Sequence, residues 1–334
     1  MLRIFDHFPK DLLELEAPCL HQVLDGPTLM HIEGQKKQPL YVSVLLHGNE
    51  VTGWETVQAL FASHGEGALP RSISLFIGNV AAAKHGLRHL DAQPDYNRIW
   101  GQGNTPEHAM AAEVLKEMLP RDPIACIDIH NTSGTNPHHA VVHALAPEHL
   151  ALASRFGHFV VYSDQQEMLQ TRAFGNFCPS VIIECGMPDR PGGVEHALAY
   201  LQSCLESDGA FEAHLHPGDI DLFQNVATVE VPEALRFGFE GNDLDLRLLP
   251  DLDQLNFNEL PSGTAFGEVR PGSGARLRVT DAAGHDLGDR YFRVEDGRLV
   301  TAVRVMPSLV STDARIIRQD CLCYLMERMT LPKA

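Results

Sequence analysis

No apolar run in this 334-residue sequence approaches the length of a membrane span, and no block of basic residues occurs in it. The formal net charge is −18. Such a surface repels nucleic acid and anionic lipid alike, so neither is expected as a partner. An anionic small molecule is also repelled at long range, and a site for one must carry its own cations. The N-terminus, MLRIFDHFPKDLLELEAP, is acidic where a secretory signal needs a basic region and an apolar block. Seven cysteines (Cys19, Cys126, Cys178, Cys185, Cys204, Cys321 and Cys323) are odd in number and contain no Cys-x-x-Cys pair. That usage suits reduced thiols, and a cytoplasmic location is expected. A nucleophile elbow, a phosphate-binding glycine loop, a dinucleotide fingerprint and internal repeats are all missing.

What is present begins with Tyr41-Val42-Ser43-Val44-Leu45-Leu46-His47-Gly48-Asn49-Glu50. A continuous apolar run reads as a strand buried on both faces. Helical spacing follows, with Trp54, Val57, Leu60 and Phe61 on one side of Val51–His64. His47 thus stands at the carboxyl end of a strand and Glu50 at the start of a helix, where ligands bind in open α/β sheets. One imidazole and one carboxylate are two of the three protein ligands a catalytic zinc takes. A third is offered by Ile124-Ala125-Cys126-Ile127-Asp128-Ile129-His130, again an apolar strand ending in a histidine. By itself His-x-x-Glu is a weak signal; two strand-end histidines with the glutamate make a stronger one.

Residues 1–206 alternate strand and helix patterns, which predicts a largely parallel sheet with helices on both faces. Expected strands are Thr28–Ile32, Leu40–Leu46, Ile73–Ile77, Ile124–Ile129, Ala140–Ala144, Phe159–Tyr162 and Val181–Cys185. Expected helices are Thr52–His64, Pro106–Met118, Pro147–Phe156 and Val194–Leu205, the second with Thr105 as cap and Pro106 at its first position. After residue 206 short alternating runs take over, punctuated by Pro and Gly. Glu295-Asp296-Gly297 between Tyr291–Val294 and Arg298–Thr301 is a hairpin signal. Residues 207–334 are therefore read as a smaller β-rich domain, closed by a helical pattern over Asp313–Arg328.

Three further stretches carry weighable chemistry. Asn79 through Arg88 to Asp95-Tyr96-Asn97-Arg98 begins at a strand end. Its arginines offer planar forks of donors to a carboxylate, or else pair with Asp91 and Asp95 in a solvated loop. Glu184, inside the apolar run Val181–Cys185, is costly to bury unless paired or neutralised. It suits a general base on a metal-activated water, or a structural carboxylate bonded to an arginine. Asp128 lies on the same strand face as His130 and can orient a ligand from behind, or hold a backbone amide.

Taken in order, His47-Gly48-Asn49-Glu50, Asn79 to Arg98, Asp128-Ile129-His130-Asn131-Thr132 and Glu184-Cys185-Gly186 resemble the succinylglutamate desuccinylase/aspartoacylase family of the zinc carboxypeptidase-like clan. Leu244–Arg270 also resembles the desuccinylase C-terminal region. The resemblance implies an α/β fold with a parallel or mixed sheet, one zinc per chain, and hydrolysis of the amide bond of an anionic N-acyl amino acid. It implies that His47, Glu50 and His130 bind zinc and that Glu184 is the general base. Arg88 then polarises the scissile carbonyl, Asn97 and Arg98 hold the substrate carboxylate, and Arg172 is a further substrate arginine. The C-terminal domain would cap the site or pack against a second subunit in a homo-oligomer. The gap from Arg88 to Asn97 is longer than the family pattern, with Pro94 in it. The same chemistry also fits a carboxypeptidase-like hydrolase of small peptides, and the fold alone fits a zinc-binding module without catalysis.

Overall fold

The computed structural model describes residues 1–64, 68–208, 211, 215, 216 and 218–331. In it the apolar run before His47 is the strand Gly34–Val44, buried continuously from Pro39 to Val44. It lies between Leu69–Ile77 and Ala125–His130 and runs parallel to both. Ser180–Glu184 continues the parallel set beside Ala125–His130, with His130 opposite Glu184. Burial on both faces is why these segments are apolar without a break.

The two faces can be separated by alternation along the strands. Leu40, Val42 and Ile127 share a core with Trp54, Leu150 and Tyr200. These come from the helices Thr52–His64, Pro147–Ser154 and Gly193–Glu206. Tyr41, Phe76 and Cys126 instead pack with Met110, Val114 and Phe174 on the opposite face, from Pro106–Met118 and Gln170–Phe174. Thr105 caps Pro106–Met118 by accepting from the His108 amide. The N-terminal residues, not assigned on sequence, form the strand Arg3–Phe5 and two 3-10 turns. They bury Leu12 and Leu20, and the Leu15 carbonyl accepts from the Trp54 indole at 2.8 Å.

Among the described residues the main sheet has 12 strands. From one edge the order is Arg3–Phe5, Thr28–Ile32, Leu69–Ile77, Gly34–Val44, Ala125–His130, Ser180–Glu184, His139–Val142, Phe159–Tyr162, Asp221–Glu230, Cys323–Met329 and Met306–Ser308, with Arg278–Thr280 also paired to Asp221–Glu230. The last four belong to the region after residue 206. That region thus extends the first sheet and also forms a separate 5-stranded sheet around Phe266, Phe292 and Leu299. The mixed α/β architecture with a second, smaller sheet is the expected class.

Two expectations need correction. The helix read over Asp313–Arg328 is only Ala314–Gln319, capped by Asp313. The rest is the strand Cys323–Met329, antiparallel to Asp221–Glu230. Cys323 to Met326 are buried on both faces, so the run shows no period by which strand and helix can be told apart. The strand read as Leu40–Leu46 ends at Val44, because Leu45 takes a positive φ of 57°. The Val44 and Leu45 carbonyls then accept from the Gly78 and Asn79 amides. The expected hairpin is present: Phe292–Glu295 pairs antiparallel with Arg298–Thr301, and Asp296 and Gly297 turn with φ of 48° and 76°.

Candidate active site

The residues that matter stand where strands end. Beyond Leu45 the chain turns back over the short helix Val80–Ala83, and a Cβ on Gly48 would lie 2.2 Å from the Ala83 amide nitrogen. Only glycine permits that approach. The Gly48 amide also donates to the Arg88 carbonyl at 3.1 Å. This packing carries His47 and Glu50 to the edge of the sheet next to His130.

There the Nδ1 atoms of His47 and His130 lie 2.8 Å from the two oxygens of the Glu50 carboxylate. Ligand atoms of all three residues fall within 4.8 Å of one another, and all three residues are buried. Each imidazole is backed on its far nitrogen. His47 Nε2 is 3.1 Å from Asp95 Oδ1, and His130 Nε2 is 2.8 Å from Asp128 Oδ2. Asp128 in turn accepts from the Ser43 hydroxyl at 2.6 Å. Asn131 braces the group by donating its amide to Glu50 and its side chain to Thr52 and Gly186.

Burial works against charge here, yet the partners win. Glu50 is held well below the usual carboxylate range by the two imidazoles. Against the same burial, Asp128 and Glu50 raise His130, and Glu50 and Asp95 raise His47. The donor set, two imidazole nitrogens and a carboxylate supported from behind by carboxylates, fits a divalent transition metal, which would take the place of the imidazole protons.

Glu184 lines the same cavity, which has a volume of about 260 Å³. Its Oε2 is buried and, among the described residues, has no hydrogen-bond partner. Burial first, and the nearby Glu50 charge second, push its carboxyl up to about 7. A carboxyl poised near neutrality with one buried oxygen unpartnered is unlike a structural ion pair.

The arginines are distributed unevenly. Arg88 is buried in the cavity wall, and its Nε and Nη2 donate to Asp95 at 3.1 and 2.9 Å. Its Nη1 is 3.9 Å from Glu50. Arg98 also lines the cavity, as does Asn97, whose side-chain oxygen accepts from the Gln170 amide. Both arginines reach one further carboxylate, Asp320 of the C-terminal region, at 3.1 and 3.0 Å. Arg172 is not among the lining residues; its guanidinium donates to the carbonyls of Asp164 and Gln166. Of the pairings weighed on sequence, Arg88 does meet Asp95, in a buried setting, while exposed Asp91 meets Arg315.

Sequence reasoning missed three parts. The sequence offers Asp95 only as a partner for arginine, although in the fold it also backs His47. Asn131 and Asp320 were not singled out. The position of Asp95 just before Tyr-Asn-Arg was an available signal, whereas Asp320 had none while its segment was read as helix.

Residues 36–186 match the sequence model described as the succinylglutamate desuccinylase/aspartoacylase catalytic domain. Among curated proteins nothing matches. The fold resembles the crystal structure of succinylglutamate desuccinylase from Chromobacterium violaceum, with TM-score 0.55 and 17% identity over 90% of this chain and 87% of that one. It also resembles murine aminoacylase 3, at 0.56 and 18%, over 89% and 98% of the two chains. A succinylglutamate desuccinylase/aspartoacylase from Rhodobacter sphaeroides gives 0.58 and 15%, over 90% and 89%. At these identities the structures speak for the fold alone. No helix among the described residues is long and apolar enough to cross a membrane.

Proposed function

We propose, from the premise that residues 36–186 are a catalytic domain of the succinylglutamate desuccinylase/aspartoacylase family, that this protein hydrolyses the amide bond of N-acyl amino acids with one zinc per chain. The observation that carries the reading is buried Glu184, whose Oε2 has no hydrogen-bond partner among the described residues, in the cavity that holds the His47–Glu50–His130 cluster. His47 and His130 would hold the metal through Nδ1 and Glu50 through its carboxylate, with Asp95 and Asp128 fixing the two rings. Zinc bound there supplies a Lewis acid and lowers the pKa of water toward neutrality.

The chain's own groups then have distinct work. Glu184 takes the proton of the attacking water at Oε2 and returns it to the leaving amine, a task suited to a group near 7. Arg88 has its Nε and Nη2 tied to Asp95, so Nη1 is the donor it offers to the carbonyl oxygen on which charge develops. Asn97 and Arg98 orient the amino-acid end. Residues 207–334 close the other side of the cavity. A cavity of about 260 Å³ suits a small acyl amino acid better than a peptide extended at both ends.

The test is Glu184→Gln. It should keep one equivalent of zinc while amine release from N-acyl amino acids falls by ~10²–10⁴-fold. Near-wild-type turnover would remove Glu184 from the mechanism. A dipeptide cleaved faster than every acyl amino acid would favour the carboxypeptidase-like reading instead.

A further inference from the structure

Three arginines are expected to meet substrate, yet the cavity offers little free positive charge from side chains. Arg172 is spent on backbone carbonyls outside the cavity lining. Arg88 is already bonded to Asp95. Arg88 and Arg98 then clamp one carboxylate between them: Asp320 Oδ2 is 3.1 Å from Arg88 Nη2, and Oδ1 is 3.0 Å from Arg98 Nη2. Each oxygen of Asp320 thus takes a charge-assisted donor that a ligand carboxylate could otherwise use. The described lining contains no lysine. His143, which also lines the cavity, is pushed down to about 4 by burial and is neutral at neutral pH.

Asp320 is held from behind. Its amide donates to the Ile316 carbonyl, and the Leu322 amide donates to Val229 in the neighbouring strand. Ile317 and Leu322 on either side are buried in the C-terminal core. The carboxylate is therefore a built part of the wall.

We propose that Asp320 is a specificity-determining residue: it fills the seat of a second substrate carboxylate, so the site prefers N-acyl amino acids with one carboxylate over dicarboxylic ones. This rests on the deacylase reading for its substrate class. Arg98 Nη1 donates to the Asn97 carbonyl at 2.9 Å and Nη2 to Asp320, so with Asp320 in place only the N–H groups left over on Arg98 serve the single carboxylate of the amino acid. A second carboxylate would face Asp320 at close range, where like charges in a partly desolvated site repel strongly.

The experiment compares binding of succinate and butyrate to the zinc-loaded protein by titration calorimetry, for the wild type and Asp320→Asn. In the wild type, succinate should bind no more than about 3-fold more tightly than butyrate. In Asp320→Asn, succinate should tighten by about 10-fold or more while butyrate stays within about 3-fold, the effect expected for ~1.4 kcal/mol of relieved repulsion. Wild-type protein that already prefers succinate about 10-fold overturns the proposal, even where the variant fails to fold. So does a variant with unchanged preference, or binding of neither acid by either protein. Turnover is followed in parallel with N-acetylmethionine and N-acetylaspartate: kcat/KM should favour the former in the wild type and shift about 10-fold toward the latter in the variant. Absence of turnover with every acyl amino acid would defeat the deacylase reading, and the binding comparison would still decide on Asp320.

Discussion

The cavity wall that comes from residues before 206 is set by strand ends. The wall from residues after 206 is set by the turn between the short helix Ala314–Gln319 and the strand Cys323–Met329. On the first side, His47, His130 and Glu184 follow directly from apolar runs that a parallel sheet buries on both faces. On the second, Asp320 and Tyr324 reach the cavity because a distant segment pairs with Asp221–Glu230. The residues that could hold a metal are thus concentrated on the wall with regular, local determinants. The proposed discrimination between substrates falls to the wall that depends on long-range pairing.

That contrast can be broken first at the metal-binding wall. Gly48→Ala should cost more than about 3 kcal/mol, because the new Cβ would overlap backbone of Val80–Ala83 rather than a movable side chain. Denaturant midpoints check this, and an unchanged midpoint would show that the turn has room to relax. A buried carboxyl should show itself next. Glu184 is raised to about 7, above its ordinary 4.5, so the folded metal-free chain keeps a proton that the unfolded chain releases between those values. Its favourable contribution is full below pH 4.5 and is lost as pH rises through 7, by ~3 kcal/mol. Subtracting the pH profile of Glu184→Gln from that of the metal-free wild type isolates this slope, and a flat difference would contradict it. A bound cation nearby favours the carboxylate, so the acid limb of kcat/KM should fall below 7.

Asp95→Asn should weaken zinc binding by ~10–100-fold, since it removes the carboxylate behind His47 and one anchor of Arg88. Competition with a chelator measures it; equal affinity would leave Asp95 only its arginine. The smallest effect is expected far from the cavity. Gly297→Ala places a side chain at φ of 76° in the hairpin turn and should cost ~1 kcal/mol without changing turnover. A change in KM would tie the second sheet to the site more closely than its position suggests.

Much of the first wall was legible in the sequence. Ligand spacing, strand ends and the helix starts at Thr52 and Pro106 are local, and burial on both faces writes them as unbroken apolar runs. The expected metal, base and substrate residues line one cavity apart from Arg172, which sits on the short helix Gln170–Phe174 and donates to backbone carbonyls, while Asp128 stands behind His130. Illegible parts depend on tertiary partners. Leu12 and Leu20 look like surface turns until Trp54 packs behind them. The segment ending in Cys323–Met329 reads as helix until Asp221–Glu230 pairs with it. Asp320 acquires meaning only when two arginines from elsewhere in the chain meet it.

The central claim is tested most directly by metal content and amine release measured on one sample of wild type and His130→Ala. The account predicts about one zinc per wild-type chain, release of amine from an N-acyl amino acid that chelator abolishes and zinc restores, and neither property in the variant. Undiminished zinc and turnover in His130→Ala, or a wild-type chain that takes up no metal on titration, would contradict it.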